Sequence, residues 1–175
     1  MRRATKEIVA EIRRRVGELK LLNAETPAFE RVELFDSDQL PEAFTALLIS
    51  EQRVCVVVPL DERFETVMDQ RKLTVKRVLP VAILISDRVM GDRKAALWGD
   101  ASTAGADALK ELVLTAVTGL LLPNPGGVLC EPVNVTVMTV RDTEKDMPGR
   151  VAVALEVNCR GGIIEAQLGN KGVVF

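Results

Sequence analysis

The chain has 175 residues, 47% of them hydrophobic and 27% charged, with a formal net charge of -2. That length suits one domain, residues 1–175, with a core of its own, and the composition is unlike that of a disordered chain. The near-neutral charge argues against a nucleic-acid binder working through a basic surface, and the lack of histidine removes His-based acid–base chemistry, Ser-His-Asp and Cys-His nucleophiles and most zinc sites.

Residues 5–22 read as an amphipathic helix, with Ile8, Ile12, Val16 and Leu19 at helical spacing and Val9 widening the stripe. Arg13, Arg14 and Arg15 lie beside that stripe. They read as a solvated helix face or, more sharply, as a docking surface for an acidic partner. This start is not the uninterrupted apolar stretch of a secretory signal, and no apolar run reaches the roughly 20 residues of a membrane helix. The expectation is a soluble intracellular protein.

Phe29–Phe35 reads as a short strand, followed by capping residues Asp36-Ser37-Asp38 and a short helix over 40–50. Val54-Cys55-Val56-Val57-Val58 is continuously apolar and β-branched, as a strand covered on both faces would be, and Pro59 ends it. Residues 60–72, polar and charged, read as a loop. Residues 73–86 read as a long strand in which Pro80 marks a bulge or an edge. Residues 87–101 read as a second loop.

The strongest helix pattern covers 104–121, with Leu109, Leu112, Val113, Ala116, Val117, Leu120 and Leu121 on one stripe and Thr103 placed to cap its start. Pro123-Asn124-Pro125-Gly126-Gly127 stops it. A β-hairpin follows. Val133, Val135 and Val137 alternate with polar residues, as do Val151, Val153, Leu155, Val157 and Cys159, so each strand is expected to bury one face. Its connection, 142–149, is polar and reads as a projecting arm, and the tail over about 161–175 has no clear period. Together these elements predict an α+β fold: a mostly antiparallel sheet flanked by helices and closed by a long hairpin.

Candidate chemistry is sparse. Gly99-Asp100-Ala101-Ser102-Thr103-Ala104-Gly105 lacks the glycine spacing and lysine of a phosphate loop, and reads as a capped helix entry. Asp61, Glu62, Glu65 and Asp69 are interleaved with Arg63, Arg71 and Lys72, which suits a mixed-charge loop better than a metal-dependent hydrolase. No catalytic, cofactor-binding or metal-ligating set is assigned. Cys55, Cys130 and Cys159 read as reduced core thiols. Trp98, the only tryptophan, either folds back onto the core or anchors a subunit contact.

Ala96-Leu97-Trp98-Gly99-Asp100, then Gly105-Ala106-Asp107-Ala108-Leu109, a helix ending Gly119-Leu120-Leu121, a Pro/Gly loop and a long hairpin resemble the small tail-assembly proteins of Mu-like phages and prophages. The layout is similar to that of tail terminator, or tail completion, proteins over roughly residues 5–160. The resemblance implies a structural virion protein in the tail or neck, assembled in the host cytoplasm. It would form a homo-oligomeric ring, commonly sixfold, that caps the tail tube and meets the sheath and the head–tail connector. It implies no enzyme, no cofactor, no membrane and no specific nucleic-acid recognition. Candidate interface residues are Val89, Met90, Leu97 and Trp98 in one loop, and Glu144, Lys145, Asp146 and Met147 in the arm. Another tail-tube or connector subunit is the nearest alternative, and a small metal-dependent hydrolase the more distant one.

Overall fold

The computed structural model describes residues 5–21, 25–49, 53–69, 72–88, 93–100, 104–122, 128–138, 150–169 and 172–174. Helix α1 (Thr5–Gly17) is followed by strand β1 (Arg31–Leu34), a single 3-10 turn (Ser37–Gln39) and helix α2 (Leu40–Ile49). Strands β2 (Val54–Pro59), β3 (Arg63–Asp69) and β4 (Lys72–Arg88) come next. Helices α3 (Arg93–Trp98) and α4 (Gly105–Val117) lead to β5 (Leu121–Leu122), β6 (Val128–Met138), β7 (Arg150–Gly169) and β8 (Gly172–Val174).

The eight strands form one sheet in the order β1-β2-β4-β7-β6-β5, with β3 also paired to β4 and β8 to β7. It is antiparallel except for β1 and β2, which run parallel. A parallel pair needs a crossover between its strands, and α2 supplies it. This is the expected α+β architecture.

Period-two alternation sorts β2, β4 and β7 between the two faces of the sheet. Cys55 and Val57, Leu79 to Ile85 at every second position, and Leu155, Val157 and Cys159 pack with α1 and α4. Val54, Val56, Val58 and Leu84 face the other way and pack with Ala43 and Leu47 of α2. Every residue of β2 is buried, as its unbroken apolar run predicts.

Pro80 sits inside β4 without disturbing it. Its carbonyl accepts the Leu60 N–H at 2.8 Å. In a strand the N–H and C=O of one residue point to the same side, so the proline nitrogen faces that side too. There β2 pairing ends at Val81 and β3 pairing begins at Val78. The missing donor therefore falls in the gap between two neighbouring strands. The register shift in β4 lies elsewhere, between Val75 and Arg77.

Several boundaries differ from the sequence reading. Residues 60–72 are mainly strand β3, not a loop. An edge strand exposed on both faces has no reason to show apolar alternation, which is why its charges mislead. Within 87–101, β4 continues to Arg88 and α3 forms, where a loop was expected. The tail after Arg160 is not patternless: β7 runs on to Gly169 and β8 pairs back onto it. Helix α1 stops at Gly17 and α4 at Val117, each short of the periodic stripe. Beyond α4, Gly119 takes φ +66, outside the helical region.

Candidate functional site

The geometry around Trp98 begins with two glycines. Gly99 has φ 81 and its N–H donates to the Ala95 carbonyl at 2.7 Å, ending α3 with a left-handed C-terminal glycine. Gly105 has φ +77, and a Cβ placed on it would lie 2.2 Å from the Gly99 nitrogen. The two helix ends therefore abut backbone to backbone. The spacing that superficially suggested a phosphate loop is explained by this contact.

The α4 N-terminus is held by a residue the sequence reading passed over. The buried Asp87 carboxylate, near the end of β4, accepts the Gly105 N–H at 3.1 Å. A carboxylate suits the positive end of a helix. Thr103, the cap expected from sequence, lies outside the described residues. The signal for Asp87 was an acid at an otherwise apolar strand position.

This junction carries Trp98, which is 61% exposed. It does not fold back onto the core. Ala95 and Ala96 are the residues of α3 that are buried, and Leu97 is half-buried. Val89 and Met90 lie outside the described residues, as do Glu144, Lys145, Asp146 and Met147 of the arm.

Further exposed apolar residues lie on two strands. On β3, Phe64, Val67 and Met68 are each more than half exposed. On β6, Val133, Val135 and Val137 are exposed too, which corrects the expectation that this strand buries its valines. Their partners across the ladder, Leu155 for Val135 and Val153 for Val137, are buried. The register shifts between Pro132 and Asn134, so the strand is bulged at Val133. The outer side of β6 pairs with β5 only at Val128 and Leu129. Among the described residues, β6 beyond that pairing and the outer side of β3 have no strand partner.

Two of the four acids of 61–69, Glu62 and Glu65, are held by arginines. Glu62 takes an Arg77 Nε–H at 2.9 Å and hydrogen-bonds to the Thr5 hydroxyl, which also accepts from Arg77 at 2.6 Å. The Arg77 guanidinium holds the Glu62 carboxyl below its ordinary range. Arg160 on β7 donates to Glu65 on β3 at 2.7 Å and to Glu131 on β6 at 2.8 Å. Among the described residues no group of three or more acids and cysteines is placed to hold a metal ion. On α1, Arg14 bridges Glu11 and Glu18, and Arg15 also reaches Glu11. The Arg14 hydrogen bond, with Arg15 assisting, holds Glu11 down at about 2. Much of that basic run is thus neutralised by its own helix.

The arrangement presents apolar surface and internally matched charge. No described helix is long and apolar enough to cross a membrane. No protein-family model matches the chain, and no curated protein does. Among solved structures, a chain from the virion of a native gene transfer agent particle is similar over 71% of this chain and 89% of its own, at 14% identity and a TM-score of 0.37. That degree of likeness does not bear on function.

Proposed function

We propose that this chain is a non-enzymatic structural subunit of a phage-like tail, which caps the tail tube as a closed homo-oligomeric ring of six and contributes to the head–tail junction. What carries the reading is the pair of exposed apolar edges, Phe64 and Met68 on β3 and Val135 and Val137 on β6. Exposed apolar clusters mark contact surfaces. Two different surfaces on one molecule suit a heterologous interface, and such interfaces make rings when the rotation closes. The resemblance of Ala96–Asp100 and the following helix and hairpin to the small tail-assembly proteins of Mu-like phages, and of the layout to tail terminator proteins, supports the same reading. The tail tube protein is then the main partner, with sheath and connector proteins beyond it.

The test uses complementary defects. Phe64→Ser with Met68→Ser should spoil one surface, and Val135→Lys with Val137→Lys the other. Mass photometry with the tube protein present should show closed rings for the parent and monomers for each double variant. Mixing the two variants should give dimers that grow no further, because one intact surface of each kind remains. A parent that stays monomeric both free and on tubes would refute the ring. Open tubes built from the protein alone would make it a tube-forming subunit instead.

A further inference from the structure

Cys130 and Cys159 stand directly opposite each other on β6 and β7, with their sulfurs 3.7 Å apart and both side chains buried. The Cys130 N–H donates to the Leu120 carbonyl at 3.0 Å, and its own carbonyl accepts the Gly119 N–H at 3.1 Å. Both backbone groups therefore point away from β7. That makes Cys130 and Cys159 a non-hydrogen-bonded cross-strand pair, the type with Cα atoms about 4.5 Å apart and side chains closest. Disulfides span Cα separations of about 4.4–6.8 Å, so the backbone is already in place for a bond.

We propose that Cys130 and Cys159 form a reversible dithiol–disulfide site, closed by exchange with a low-molecular-weight disulfide into a cross-strand staple at the base of the β6–β7 hairpin. Residues 119–122 hold the β6 edge at Cys130 through two backbone hydrogen bonds and the two-residue strand β5, and Leu120 packs in the same core cluster as both cysteines. Short, thinly bonded segments open at the least cost. The chemistry divides between the two sulfurs. A hydrogen bond from Cys159 favours the Cys130 thiolate and lowers its pKa, while Cys159 is held protonated.

The Cys130 thiolate attacks the incoming disulfide, forming a mixed disulfide and releasing one small thiolate, which takes up the Cys130 proton. The Cys159 sulfur then attacks the Cys130 sulfur, expels the second small thiolate and passes its proton to it. Two protein thiols are oxidised and one small disulfide is reduced to two thiols. Cys55 takes no part. It aligns across the sheet with Ile85 and Val153, six residues along β7 from Cys159. At about 3.4 Å per residue that separation is roughly 20 Å, beyond any disulfide.

The experiment incubates the native reduced protein with oxidised glutathione, then alkylates and maps it without reduction. The expected result is an intact mass lower by two hydrogens, a peptide joining Cys130 to Cys159, and Cys55 alkylated after denaturation. The melting temperature should rise by about 10 °C and fall back on adding dithiothreitol. Cys159→Ala should accumulate a glutathione adduct on Cys130 with no such rise. Thiols that stay reduced throughout, or a parent that stops at the Cys130 adduct, would overturn the proposal.

Discussion

The two ends of the sheet share the long strands β4 and β7 but are built differently. At one end, β1 and β2 flank them, α1 and α4 cover one face, and α2 covers the other. At the other end, β3 takes the place of β2, and all of Arg63–Met68 is exposed. Both ends contain valines and larger apolar residues. Val56 is fully buried while Val67 is 52% exposed, so the difference lies in what covers the strand, not in the side chain. Helices decide which part of a sheet becomes core. The uncovered part leaves its apolar side chains in solvent, and Arg77, bound to Glu62 and Thr5, ties it to α1.

Truncation at the covered end should cost most. Leu155→Ala, at a site with no exposure, should lower stability by about 3–4 kcal/mol through the cavity it leaves. Urea unfolding followed by circular dichroism gives the value, and a loss under about 1 kcal/mol would mean that this end is loosely packed. Gly105→Ala should come next, at roughly 2–3 kcal/mol, because the added Cβ meets backbone and φ is +77. The same substitution at Gly119, with nothing within 4 Å, should cost less, and equal losses would reduce the effect to φ alone.

The clamp between α1 and the exposed end should be smaller and pH-dependent. Glu62 has a lowered pKa in the fold. Its contribution is therefore complete above the unfolded carboxylate range and lost as pH falls through the folded value. Glu62→Gln should cost about 1 kcal/mol at pH 7, and the gap to the parent should narrow below pH ~4.5. A gap that stays constant down to pH ~3 would show that the Arg77 pairing contributes nothing. Least affected of all should be Met68→Ser, within about 0.5 kcal/mol in the monomer, since the side chain is 66% exposed. A larger loss would reveal hidden packing on β3.

Much of this contrast was legible in the residues. The fully apolar β2, the stripes of α1 and α4 and the alternation of β7 all declare burial by their period. Strand β3 was missed because solvent on both faces leaves no period to read. The exposure of Val133, Val135 and Val137 was missed for the opposite reason: alternation shows which side chains share a face, not whether a helix reaches that face. Trp98 was singled out from its type and its loop, yet its exposure follows from α3 and from the Gly99–Gly105 contact, which joins elements rather than neighbours in sequence. Asp87 needed the same knowledge, since its partner Gly105 lies on another element.

The central ladder has a consequence for synthesis. Strand β4 runs from Lys72 to Arg88, but its partner on one side is β7, where Lys72 meets Gln167. While the ribosome is still making the middle of the chain, β4 can pair only with β2 and β3 and waits with its other edge bare. Local helices form early, and such distant strand pairing forms late. Until β7 is made, that edge of β4 is open to any strand that reaches it, its own or one of a neighbouring chain.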